Sequence, residues 1–86
     1  MNKKEKLGMC FFEADLDNKK YIALKIKNEE SGSLEVMIIS RESFETKWLY
    51  YLKAYDDDLK LKTFNKIAIT NFCYANSYSE IENILK

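Results

Sequence analysis

Ser40-Arg41-Glu42-Ser43-Phe44-Glu45-Thr46-Lys47-Trp48-Leu49-Tyr50-Tyr51-Leu52-Lys53-Ala54-Tyr55-Asp56-Asp57-Asp58 is the longest stretch of this chain with helical periodicity. Phe44, Trp48, Tyr51, Leu52 and Tyr55 recur at the spacing of one helix face and form a broad apolar stripe, with Thr46, Tyr50 and Lys53 lying off it. Ser40 or Ser43 is suited to cap the start, and Glu42 and Glu45 suit the positive end of the dipole. Burying Trp48 is worth on the order of 3 kcal/mol, which marks Trp48→Ala as the costliest single change. Asp56, Asp57 and Asp58 follow at the negative end, where acidic residues oppose the dipole. The helix is therefore expected to stop at Tyr55 or Asp56, with the aspartates making the turn.

Three strands are expected before this helix. Leu7 to Leu16 alternates, with Cys10, Phe12, Ala14 and Leu16 on one side and Met9, Phe11, Glu13 and Asp15 on the other. Asp17-Asn18-Lys19 reads as a turn, since Asp and Asn tolerate left-handed backbone. Lys20 to Asn28 alternates again, placing Ile22, Leu24 and Ile26 inward and Tyr21, Lys25 and Lys27 outward. Glu29 to Ser33 is a loop. Leu34 to Ser40 then reads with Leu34, Val36 and Ile38 inward and Glu35, Met37 and Ile39 outward. Together these segments describe an antiparallel meander beneath the central helix.

Beyond the helix, Leu59 to Lys62 and Ile67 to Tyr74 read as a hairpin, with an irregularity near Phe72–Tyr74 that a bulge would explain. Ser77-Tyr78-Ser79-Glu80 is a capping box, opening a last helix striped by Tyr78, Ile81, Ile84 and Leu85. The expected fold class is α+β: one small domain over 1–86, element order β-β-β-α-β-β-α, with residues 1–6 a flexible basic tail.

At 86 residues the chain is the size of one domain, and its 47% apolar content, including one Trp, six Tyr and five Phe, suffices for a core. Fourteen basic residues balance fourteen acidic ones, so net charge gives no reason to expect nucleic acid or an anionic membrane, and little protection against self-association. The basic start is soon interrupted by Glu13, Asp15 and Asp17, unlike a signal peptide, and no apolar run is long enough for a membrane span. These features read as cytoplasmic. Abundant Lys, Asn, Ile and Tyr with no Pro track AT-rich codons, pointing to a low-GC bacterium or one of its phages.

Chemistry-bearing constellations are few. With no His, the chain offers no Ser-His-Asp or Cys-His system and no His-ligated metal. Cys10 and Cys73 read as reduced core residues, with a single disulfide as the alternative. Gly8 and Gly32 stand alone, so there is no glycine-rich phosphate loop. Asp56–Asp58 lacks the spacing of a calcium loop and reads as a solvated turn, with an acidic contact patch as the alternative. No cofactor or metal is called for, and the chain is expected not to be an enzyme.

The function expected from the residues is a protein-binding module that occupies a partner's surface, of the kind a phage or mobile element encodes as an accessory protein or inhibitor of its host. Its candidate contact residues are Met9, Phe11, Tyr21, Met37 and Ile39 on the outward sheet face, with Tyr50 beside them and Asp56, Asp57 and Asp58 supplying charge. A covering helix over that face is the competing arrangement. Two alternatives remain: a nucleic-acid-binding regulator using Tyr21, Lys25 and Lys27, disfavoured by Glu13, Asp15 and Glu35 on the same face, and a structural homodimer.

Overall fold

Residues 7–16 carry two periodicities at once, and the helical one decides their structure. In the computed structural model, which describes residues 1–85, Lys3–Leu16 forms helix α1 with Leu7, Cys10, Phe11 and Ala14 buried. Those four positions follow the i, i+3, i+4, i+7 pattern, so the expected first strand, and the expected tail from residue 3 onward, are both replaced by helix. Asn2 caps it, its side-chain oxygen accepting the Glu5 N–H at 2.8 Å. The turn at its far end forms as expected: Asn18 adopts φ 57°, and the Lys19 N–H returns to the Ala14 carbonyl at 2.9 Å.

Strand β1 (Tyr21–Asn28) lies between β2 (Leu34–Ser40) and β3 (Ile67–Ala75), and both neighbours run antiparallel to it. The α+β class and the antiparallel sheet thus match the expectation, while the element order begins with a helix. Ile22, Leu24 and Ile26 point into the main core as expected. In β2 the faces are reversed. Ile22 pairs with Ile39 and Leu24 with Met37, and directly paired residues share a face, so Met37 and Ile39 enter the main core. Leu34, Val36 and Ile38 therefore point the other way. Both faces of β2 are apolar, so alternation alone leaves its orientation open. The hairpin decides it: Asn28 N–H bonds the Ser33 carbonyl, and Gly32 takes up φ 77°.

A turn of 3-10 helix, Arg41–Ser43, leads into α2 (Phe44–Ala54). Neither Ser40 nor Ser43 makes a side-chain capping bond. Of the expected stripe, Phe44, Tyr51 and Tyr55 are buried, Trp48 is half-buried and Leu52 is exposed. Trp48 lies against Gly8 of α1, where a Cβ would come within 3.0 Å of its Cζ2. Because the indole is at the rim, the largest truncation costs are expected at the fully buried Leu7, Ile22, Leu24, Ile39 and Leu59 instead.

Residues 59–61 do not form the expected strand. They make isolated bridges, Lys60 to Ala68 on the outer side of β3 and Leu61 back to Tyr55 at the end of α2. The irregularity expected in β3 sits earlier than Phe72: Lys25 pairs with Asn71 but Ile26 with Ile69, which leaves Thr70 as the extra residue. Helix α3 (Tyr78–Leu85) starts at the expected capping box, with Glu80 N–H on the Ser77 hydroxyl and the Glu80 carboxylate accepting the Asn76 N–H at 2.9 Å.

The result is three layers. Helices α1 and α2 cover one face of the sheet, and α3 covers part of the other by packing Ile81 and Leu85 on Ala23 and Ala75. No helix among the described residues is long and apolar enough to cross a membrane.

Candidate functional site

The nine contact residues expected from sequence do not form one surface. Phe11 and Ile39 are core, at 4% and 2% exposure, and Met37 packs against that core. Phe11→Asp is accordingly expected to unfold the domain rather than test an interface. Met9 is exposed on α1, where it lines a cleft with Phe72, Cys73, Tyr74 and Ile84 at the outer side of β3. Tyr21 lies on the opposite face of the sheet, its ring 4.9 Å from that of Tyr78 in α3. Helices therefore cover one face, by α1 and α2, and part of the other, by α3.

The aspartates after α2 have structural roles that local helix stability does not reveal. The Asp56 carboxylate accepts the N–H groups of Asp58 at 2.9 Å and Lys60 at 3.0 Å, fixing the turn. The Asp57 carbonyl accepts the Lys4 N–H at 3.2 Å, satisfying one of the free donors at the start of α1. Asp57 and Asp58 are exposed, but Asp56 is a turn residue rather than a contact residue.

The basic sheet face is also engaged internally. Lys25 Nζ donates to the Leu85 carbonyl at 3.1 Å, placing a cation at the last turn of α3. Arg41, the only arginine, does the same for α1: it donates to the carbonyls of Ala14, Asp15 and Lys19 and pairs with the Asp15 carboxylate at 3.0 Å. Neither residue is presented as a reader of phosphate. Lys27 of the expected stripe is exposed.

Cys10 and Cys73 are free thiols lining the cleft at the outer side of β3. Burial, reinforced by Cys73 and Glu13, pushes the Cys10 thiol up to about 12, and burial also raises Cys73. Raised thiols hold their protons at neutral pH and are weak nucleophiles. Tyr51 is likewise pushed up to about 12, by burial first and then by Tyr55, Tyr50 and Glu35. Among the described residues no three His, Cys, Asp or Glu side chains converge as metal ligands.

The surface that stands out consists of residues whose alternation predicts core. Leu34, Val36 and Ile38 are 58%, 48% and 40% exposed. Val36 and Ile38 line a groove of about 500 Å³ with Tyr78, Ile81, Glu82 and Leu85, so α3 forms its wall and β2 its floor. β2 is also an edge strand, with no strand on its outer side among the described residues. Its hydrogen-bonding parity follows from the two ends of the hairpin, where Asn28 bonds Ser33 and Arg41 bonds Lys20. In an antiparallel ladder such pairs alternate, so Glu35, Met37 and Ile39 direct their backbone groups to β1. Leu34, Val36 and Ile38 direct theirs outward. The same three residues thus present apolar side chains on one face and unpaired N–H and C=O groups at the edge. A second groove, between α1 and α2, is lined by Phe12 and Trp48 but ringed by Asp15, Arg41, Glu42 and Glu45, and it offers no free strand.

Sequence reasoning had one signal for this surface: the hairpin length that sets the β1–β2 register. The openness of the edge depends on strand order, which no local pattern carries. In comparisons with known proteins, the chain matches no family model, no curated protein and no solved structure.

Proposed function

We propose that this chain is a non-enzymatic protein-binding module whose contact surface is the outer edge of β2 with the adjoining Leu34, Val36 and Ile38 strip and the wall of α3. The observation that supports it is the coincidence, on three alternate residues, of exposed apolar side chains with an unpaired strand edge. Either feature alone is common. Together they supply both sources of strand-addition recognition: main-chain hydrogen bonds for affinity and side-chain positions for selectivity. Natural edge strands are usually blunted by Pro, Lys or a bulge. β2 has none of these, and its one charge, Glu35, lies on the other face.

Affinity capture from source cells with wild-type protein and a Val36→Lys/Ile38→Lys double variant tests the reading. The expected result is a protein retained by the wild type, lost with the double variant, and still retained by Phe12→Lys on the α1 side. Capture indifferent to the β2 changes, or abolished by Phe12→Lys alone, would place the contact surface elsewhere.

A further inference from the structure

We infer that the β2 edge pairs with the β2 edge of a second copy of this chain, giving a continuous six-stranded antiparallel sheet in the order β3-β1-β2-β2-β1-β3; this identifies an occupant for the surface proposed above and rests on that reading. The argument begins with the ladder parity. A two-fold axis through Val36 sets Val36 opposite its own counterpart and Leu34 opposite Ile38 of the second copy. All three residues direct their N–H and C=O groups outward, so each of these pairings is of the hydrogen-bonded kind. No other register centred in the strand pairs these three residues only with one another; an axis at Met37, for example, would set Leu34 opposite Ser40.

Side chains agree with that register. Directly opposed residues share a face, so the six Leu, Val and Ile side chains of the two copies form one apolar surface between two α3 helices. On the opposite face Glu35 falls across from Met37, so no like charges oppose each other within the strand. Zero net charge leaves no long-range repulsion between copies.

Area sets the expected strength. Seven residues make an edge about 24 Å long, and with a side-chain layer on each face the contact covers on the order of 500 Å² per copy. That is about a tenth of the 5608 Å² surface of the chain and lies at the weak end of specific interfaces. A reversible dimer with a dissociation constant between about 1 μM and 1 mM is the form expected of so small a contact.

Sedimentation of the full chain from about 1 μM to 1 mM brackets that range. The wild type is expected to move from the 10.2 kDa monomer toward twice that mass as concentration rises. Val36→Lys and Val36→Pro are expected to remain monomers with unchanged far-ultraviolet circular dichroism. Proline there removes an N–H that bonds nothing within the chain. Should either variant fold poorly, Val36→Cys gives a second readout, because opposed hydrogen-bonded residues lie about 5.5 Å apart, within disulfide range. It should form a covalent dimer on mild oxidation, whereas Thr46→Cys on α2 should not. A wild type that stays monomeric throughout, or a dimer that persists in both folded Val36 variants, overturns the inference. A monomeric wild type that still captures another protein through Val36 overturns it while leaving the binding-module reading intact.

Discussion

The two edges of the sheet are finished in opposite ways. At β3, residues 59–61 bridge to the strand, with Leu61 N–H on the Ile67 carbonyl and Ile69 N–H on the Leu59 carbonyl, each at 2.9 Å. Thr70 bulges out of the ladder just beyond, and Met9 and Ile84 flank the remainder from α1 and α3. At β2, among the described residues, there is no bridge and no bulge, and Leu34 is exposed. An exposed strand edge invites association, so a chain that closes one edge with three separate devices and leaves the other bare distinguishes the two. The closed edge belongs to stability. The bare edge is where binding is to be sought.

Breaking the closed edge should have the largest effect. Leu59 is fully buried beneath the segment that covers β3, so Leu59→Ala should cost about 2–5 kcal/mol in urea unfolding. Leu59 also holds φ 61°, a left-handed conformation that costs a residue with a Cβ roughly 1–2 kcal/mol. Leu59→Gly, which loses still more apolar surface, should therefore be no more destabilised than Leu59→Ala. If Gly proves clearly worse, the backbone strain assigned to this position is absent.

Titration reaches the same closed half of the molecule. The Cys10 thiol moves from 9.0 to about 12 and the Tyr51 hydroxyl from 10.0 to about 12, each mainly through burial. Both folded values are raised, so the neutral groups contribute fully below pH 9. The unfolded chain releases these protons first, and stability then falls until the folded values are passed near pH 12. The slope should approach about 1.4 kcal/mol per pH unit for each group. Cys73, also raised by burial, shares the first step, so Cys10→Ala should make the loss above pH 9.0 shallower without moving its onset. An unchanged slope would mean that Cys10 does not contribute to the first step.

A smaller loss is expected where the covering segment leaves α2. Asp56→Ala removes the acceptor of two N–H groups in that turn and should cost about 1–2 kcal/mol. Asp58→Ala, whose exposed carboxylate makes no hydrogen bond, should be nearly neutral by the same measurement. Equal effects at the two positions would return the triplet to a generic charge role.

What the sequence shows clearly is whatever one local pattern decides. Ser77-x-x-Glu80 announces α3, and Asp17–Lys19 forms the turn its residues suit. The N-terminal helix had an equally local signal in Asn2-x-x-Glu5, a cap followed by an acidic third residue, but the alternation of Met9 to Leu16 competes with it. The contest is settled by Leu7, Cys10, Phe11 and Ala14, which fit the groove between α2 and the sheet. β2 fails for a different reason: with Leu34, Val36 and Ile38 on one side and Met37 and Ile39 on the other, either face can serve as core. Its orientation comes from pairing with β1, and its exposure from strand order. Both are tertiary facts, which is why alternation alone does not show that Met37 and Ile39 enter the core while Leu34, Val36 and Ile38 are exposed.

The smallest expected change in stability is at the bare edge, and its smallness is informative. Val36→Lys exchanges a half-exposed side chain on a strand whose outward N–H bonds nothing, so at low protein concentration it should alter unfolding free energy by no more than about 0.5 kcal/mol. Concentration should separate the two proteins. If folded copies pair through β2 and unfolded ones do not, association stabilises the native state by mass action, and the wild-type Tm rises with protein concentration. The Val36→Lys Tm should stay flat over the same range. Parallel concentration dependence in both proteins would show that association, where it occurs, uses another surface. A large loss of stability already in dilute solution would show that Val36 supports the fold, and the distinction between a closed and an open edge would then fail at its central residue.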